Sequence, residues 1–297
     1  MQKISTVRRG AKNVFKGQLT VGLDLGDRFS SYCVLDENGE IILERNLPTT
    51  PEAMKQTFGR MPRSRIAMET GTHSPWVSRV LTELGHEVIV AHAQQVRLIV
   101  KSRRTDDRLD ARTLARLARI DPELLTPVQH RSAQAQLHLA EIRARAGLVS
   151  ARTALVNAAR GLVKSYGERL RKCGTQQFRR EITGGLSPGL RGALEPLLRE
   201  VESLNERVKE YDRRIEKMAQ ETYPETTLLK QVKGVGVGDL IALAYVLTLE
   251  DPHRFRKSRD AGCFVGLQPG RRNSGESEPQ MRISRVENLC DHAGWPA

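Results

Sequence analysis

Aromatic residues make up only 4% of this 297-residue chain, and its four cysteines, Cys33, Cys173, Cys263 and Cys290, are widely scattered with no Cys-x-x-Cys pairing. The first scarcity argues against a nucleic-acid contact built on base stacking. The second argues against a zinc site and a disulfide framework, and points to a reducing compartment. No run of about 18 apolar residues occurs, so no membrane-spanning helix is expected. The opening "MQKISTVRRGAKNVFKG" lacks the apolar centre of a secretion signal. Residues 1–17 read as a basic flexible arm that touches phosphates, or as a plain tail. Acid is also scarce relative to base: 35 Asp and Glu face 48 Lys and Arg, for a net charge of +13. A chain this basic has a polyanion as its expected partner, nucleic acid ahead of an anionic membrane surface. Charge and backbone amides must carry that contact.

What is present divides the chain into segments. Residues 18–125 have an α/β rhythm. "LTVGLDLG" is a strand ending in an acid and a glycine turn, and "SSYCVLDENGEIILERNL" reads as two strands joined at Asn38-Gly39. "SRIAMETG" is a further apolar run ending in an acid. "SPWVSRVLTELG" has a serine cap, an early proline and a closing glycine, so it predicts a helix. "HEVIVAHA" is another strand. Residues 126–224 are helical: Ala144, Ala151 and Ala158 recur every seven residues, interleaved with Leu148, Leu155 and Leu162. Farther on, Leu194, Leu197, Val201, Leu204, Val208, Tyr211, Ile215 and Met218 alternate steps of three and four, as in a coiled-coil seam. Such helices either fold back on each other within one chain or pair between subunits. Residues 225–297 form a third segment, with a glycine-rich turn between two helical runs followed by basic and polar loops.

The stretch "KSRRTDDRLDARTLARLARI", residues 101–120, predicts a helix whose acids face inward. At about 100° per residue, Asp107 and Asp110 share a side with Ala111, Leu114, Leu117 and Ala118, while Arg108, Arg112, Arg116 and Arg119 gather on another and point outward. Asp106 falls off the stripe. Two like charges turned toward a core are costly unless a cation or donors compensate them. Asp24 ends the first strand, and Glu69 ends "RIAMETG", where a strand running beside the first brings it close. Four carboxylates from two strands and a helix make an oxygen-only site suited to Mg²⁺, with two ions expected and Mn²⁺ an acceptable substitute. The order strand-acid, hairpin, strand-acid, inward helix pair predicts an α/β ribonuclease-H-like domain. Singly, each acid has a duller role: Asp24 as a turn cap, Glu69 as an arginine partner, Asp107 as a helix-start charge.

"VGLDLGDRFSSYCVLD", "AMETGTHSPWVSRVLTELGHEVIVAHAQQVRLI" and "KSRRTDDRLDARTLARLAR" resemble the N-terminal domain of DEDD-type insertion-sequence transposases. The resemblance runs over residues 18–284, and Asp-x-x-Asp-Ala on a helix after a basic turn is its most diagnostic piece. It implies a RuvC-like nuclease domain, a coiled-coil middle and a small, mostly α C-terminal transposase domain with a helix-hairpin-helix. By match to the motif, its acids are Asp24, Glu69, Asp107 and Asp110. "LLKQVKGVGVGDLIALAYVL" is similar to the helix-hairpin-helix. There Gly234, Gly236 and Gly238 let amides approach a phosphate at a helix start, with Lys230 and Lys233 beside them. Arg108, Arg112, Arg116 and Arg119 are further phosphate contacts, each salt-sensitive, or else a merely solvated basic face.

"FVGLQPGRRNSGES" matches the stretch holding the family's nucleophilic serine, which points to Ser274, with Ser277 a poorer match. On its own, a serine in a polar turn is a turn residue. The resemblance further implies double-stranded target and donor DNA as partners, and a structured noncoding guide (bridge) RNA. It implies a homo-oligomer, dimer or tetramer, joined through the coiled coil, in the bacterial cytoplasm at the nucleoid. The ending "RVENLCDHAGWPA" departs from the family pattern, which implies a shifted or truncated C-terminal domain. Two other readings are a hydrolytic junction nuclease that uses only the carboxylates, and a non-catalytic nucleic-acid-binding remnant.

Overall fold

Strict alternation along the first strand sets the architecture. In β1 (Thr20–Asp24), Val21 and Leu23 face one side, and Gly22 and Asp24 the other. The computed structural model describes residues 18–93, 107–178, 180–232 and 237–265; at Asp107, Arg108, Arg180, Glu181, Arg259 and Cys263 it describes backbone only. The chain forms two compact units, Met1–His130 and Arg131–Ala297.

The first unit is a five-stranded sheet in the order β3-β2-β1-β4-β5, with β2 (Phe29–Leu35), β3 (Ile41–Pro48), β4 (Arg65–Glu69) and β5 (Glu87–Ala91). β1, β2 and β3 pair antiparallel, and β1, β4 and β5 pair parallel. This mixed order fits the ribonuclease-H-like α/β fold expected from the motif order. Gly39 takes a φ of +85°, while the Asp36 carboxylate accepts the amides of Asn38 and Glu40 at 2.9 Å, which closes the β2–β3 turn. These amides hold the Asp36 carboxyl below the usual carboxylate range.

Helices α1 (Pro51–Phe58) and α2 (Ser74–Glu83) cover the face formed by Val21, Leu23, Tyr32, Val34, Ile66, Met68 and Val90. The expected serine cap of α2 is shifted: His73 is the cap residue, and the Ser74 hydroxyl turns back to the Gly71 carbonyl at 2.9 Å.

Helix α3 (Asp107–Ile120) covers the opposite face, packing Ala111, Leu114, Ala115 and Ala118 on Cys33, Leu35, Ala67, Ile89 and Ala91. Its backbone lies directly on Gly22. A Cβ there would fall on the Ala111 carbonyl oxygen and 2.5 Å from the Ala115 nitrogen. The direction of α3 follows from its ties. Arg65, at the start of β4, donates Nη1 to the Ala118 carbonyl at 3.2 Å, and Arg119 donates to the Glu37 carbonyl in the β2–β3 turn. The helix therefore runs antiparallel to β1 and β4, its last turns over the strand starts and its first turn toward the strand ends.

The second unit is built on α4 (Ala133–Ser165) and α5 (Pro188–Glu221), which pack antiparallel. Ser132 caps α4 by accepting the Ala135 amide at 3.1 Å, and Gly167, with φ +75°, closes it. Val156, Ala159 and Val163 meet Leu190, Leu194, Leu198 and Val201 at one end. Ala135, Leu139 and Ile142 meet Ile215 and Ala219 at the other, where α7 (Asp239–Leu249) adds Leu243 and Leu247. Short helices α6 (Thr226–Lys230) and α8 (Ser258–Phe264) flank α7 in sequence. The seam read on α5 is used within the chain. The alanine heptad of α4 is not: Ala144, Ala151 and Ala158 are exposed, and the buried stripe lies further round the helix.

Candidate active site

Asp24 closes β1 and Glu69 closes β4. The parallel register pairs Leu23 with Met68, so the next residue on each strand is one of these acids, and the two stand at neighbouring strand ends. Two residues earlier, Gly22 and Ala67 touch α3, so by alternation Asp24 and Glu69 belong to the α3 side of the sheet. Both are half-buried. The antiparallel course of α3 carries its first turn to the same end. Asp110 directly precedes Ala111, which rests on Gly22, and it too is half-buried. Asp107 begins the helix, with its side chain outside the described residues. Among the described residues, no three carboxylate, imidazole or thiol groups are gathered closely enough to hold a metal ion between them.

The arginine face of α3 divides. Arg116 is exposed, as the outward reading expects, but Arg112 turns onto the sheet. It grips Glu44 of β3 with two parallel bonds, Nε to Oε1 and Nη2 to Oε2, the second at 2.6 Å. Arg119 is spent on the Glu37 carbonyl. The cause is the bare Gly22 seat: a helix lying this close to the sheet brings its flanking side chains within reach of β3 and the β2–β3 turn. The side chain of Arg108 lies outside the described residues.

In the second unit, Lys230 pairs with Asp239 at the start of α7, whose cap residue is Gly238. Lys233, Gly234, Gly236, Ser274 and Ser277 lie outside the described residues. A basic corner went unread in the sequence. Burial, followed by the charges of Arg143 and Arg254, lowers the Arg131 pKa against the opposing pull of Glu250, while Arg131 Nε donates to the Thr248 carbonyl at 3.1 Å. The sequence reading also missed Gly22 and Glu44. For Gly22 there was a signal, since a glycine inside a strand often marks a close backbone approach. Glu44 gave none, because an acid on an edge strand is ordinarily a solvated residue.

Cys33 lies under α3 beside this network. Burial first, then the charge of Glu44, pushes its thiol up to about 12, against the lowering pull of Arg112 and Arg116. At pH 8 such a thiol is ionised in roughly one molecule in ten thousand, and the thiolate is the nucleophile. We expect iodoacetamide at pH 8 to modify the partly exposed Cys173 well before Cys33, read by mass spectrometry of digested protein. Equal labelling of the two would show that α3 does not seal this face.

A transposase family profile matches residues 21–168, and a second, for transposases of the IS116/IS110/IS902 family, matches residues 226–289. The chain belongs to the IS110-type insertion-sequence transposases. It is therefore an enzyme that acts on DNA. Its relatives agree over most of its length. It is 28% identical to a Coxiella burnetii transposase for insertion sequence element IS1111A, across 91% of this chain and 73% of that protein. It is 26% identical to a probable family 20 transposase of Pseudomonas aeruginosa, across 89% of this chain and 78% of that protein. Among solved structures, RuvC of Thermus thermophilus aligns with 35% of this chain and 96% of its own, at 17% identity and a TM-score of 0.24. No helix among the described residues of this transposase is long and apolar enough to cross a membrane.

Proposed function

We propose that this transposase cuts and rejoins DNA through a divalent-metal centre formed by Asp24, Glu69, Asp107 and Asp110, together with Ser274 as nucleophile. The observation that carries the reading is the meeting of two adjacent parallel strand ends, each closing on an acid, with the first turn of an antiparallel helix that bears two more. The donors are all carboxylate oxygens, which suits Mg²⁺ or Mn²⁺ rather than a softer ion. Asp24, Glu69 and Asp110 do not close a site by themselves, so the reading makes Asp107 a required ligand. Bound there, Mg²⁺, two ions in the full site, supplies Lewis acidity at the scissile phosphate.

The chain's own residues do the rest. Ser274 Oγ forms a phosphoester with the DNA phosphorus as the bond from phosphorus to a deoxyribose oxygen breaks; the serine proton passes to solvent, and the departing oxygen takes one up to leave as a hydroxyl on the other strand end. The covalent link conserves the energy of the broken bond for rejoining. Arg108 and Arg116 on α3, the glycine turn before α7 with Lys233, and the corner of Arg131, Arg143 and Arg254 are the proposed phosphate contacts. Lys230 serves there through its tie to Asp239. A structured noncoding guide RNA is the proposed source of sequence choice, which suits a basic chain with few aromatics. The exposed Ala144, Ala151 and Ala158 heptad on α4 supports pairing between copies, dimer or tetramer, because none of the described residues buries that face.

The test is trapping. Full-length protein incubated with its element's end DNA and Mg²⁺ is expected to give a protein-linked DNA adduct on a denaturing gel, lost in Ser274→Ala. Free cleaved ends with no adduct would instead support a hydrolytic nuclease.

A further inference from the structure

We infer that the Glu44–Arg112 pair is a positioning device for the acid-bearing end of α3, and that Arg112 acts through Asp107 and Asp110 rather than on DNA. The inference rests on the carboxylate reading above. Three side-chain ties to its own unit mark the course of α3. Two hold its last turns: Arg65 to the Ala118 carbonyl, with Arg65 itself held by Glu87 at 2.9 Å, and Arg119 to the Glu37 carbonyl. The third is Arg112, two residues beyond Asp110, and it alone of the three lies at the end that carries the acids.

Its geometry is that of an orienting clamp. The guanidinium engages both oxygens of Glu44 in parallel, which fixes direction as well as distance. Glu44 is itself fixed, since it stands in β3 opposite Cys33 of β2, and Cys33 packs beneath Ala111 and Ala115. Side-chain exposure is 38% for Arg112 and 23% for Glu44, so the pair sits at the margin of the helix-sheet interface.

The need for such a clamp follows from the seat on Gly22. Bare backbone contact sets the height of the helix over the sheet but resists rotation about its axis poorly. An aspartate oxygen lies roughly 6 Å from a helix axis, so a 20° roll moves it about 2 Å. Misplacement by about 1 Å is enough to cost on the order of 10²-fold in rate. A bidentate tie two residues from Asp110 removes that freedom.

The test uses full-length protein and Mn²⁺ alone as the probe, by calorimetry, with DNA binding measured separately in the absence of metal. Glu44→Gln and Arg112→Gln are each expected to weaken Mn²⁺ binding about tenfold. The charge-exchanged pair Glu44→Arg with Arg112→Glu is expected to recover affinity to within about threefold of wild type, a rescue that loss of folding cannot produce. Metal-free binding to plasmid DNA, and its salt dependence, should be unchanged in Glu44→Gln and Arg112→Gln alike. If wild type binds Mn²⁺ and both single variants bind it equally well, the clamp is overturned while the carboxylate site stands. If Arg112→Gln weakens metal-free DNA binding and Glu44→Gln does not, Arg112 is a phosphate contact and the clamp is again overturned. A wild type that binds no Mn²⁺ overturns the carboxylate reading and the clamp with it.

Discussion

Asp24→Asn is expected to lower Mg²⁺-dependent cleavage of element-end DNA by about 10³-fold while leaving the fold in place. The substitution keeps size and shape at the end of β1 and removes one charge from a half-buried position beside Glu69. A catalytic metal contributes several kcal/mol to a phosphoryl-transfer transition state, and each 1.4 kcal/mol is a factor of about ten in rate. Asparagine retains one carbonyl oxygen, so residual activity at high Mn²⁺ is consistent with loss of a ligand. The stability of the unit should stay close to that of wild type, because asparagine matches aspartate in size at the strand end. The measurement is single-turnover cleavage at saturating protein, paired with a urea unfolding curve. Activity within threefold of wild type would remove Asp24 from the site.

Gly22→Ala should have the largest effect on stability of any single methyl added to the first unit. The new Cβ meets the backbone of α3, the Ala111 carbonyl oxygen and, at 2.5 Å, the Ala115 nitrogen, so no rotamer relieves it. Either α3 lifts from the sheet or β1 bends, and the layer of Ala111, Ala115, Cys33 and Leu35 opens. A loss of about 3 kcal/mol is expected, a large part of the roughly 5–15 kcal/mol that holds a typical domain together. Gly71→Ala is the control. Nothing lies within 4 Å of its added Cβ, and its effect should stay within about 0.5 kcal/mol. Urea unfolding followed by circular dichroism reads both, and an equal, small effect at the two positions would show that α3 does not sit on Gly22.

Much of the first unit was legible because its signals are local. Val21 and Leu23 alternate with Gly22 and Asp24, Asn38-Gly39 marks the hairpin, and the helical stripe of Ala111, Leu114 and Ala118 sorts inside from outside. Helix α1 was passed over although "TTPEAM" carries its start: Thr50 accepts the Ala53 amide at 3.3 Å and Pro51 opens the first turn. What periodicity could not supply was the partner of each face. The seam on α5 and the alanine heptad on α4 look alike in sequence, yet one is buried against its own chain and the other is exposed. The outward arginines posed the same problem. Helical phase places Arg112 away from the core, but only the closeness allowed by Gly22 and the position of Glu44 on a strand 68 residues earlier turn it onto the sheet.

The central claim is that these acids bind a divalent ion together, and Mn²⁺ paramagnetic resonance on the full-length protein tests it most directly. Wild type should draw free Mn²⁺ out of the six-line solution spectrum in a saturable way, and Asp110→Asn should leave that spectrum nearly undiminished at the same concentrations. Equal uptake of Mn²⁺ by the two proteins, or none by either, would contradict the account.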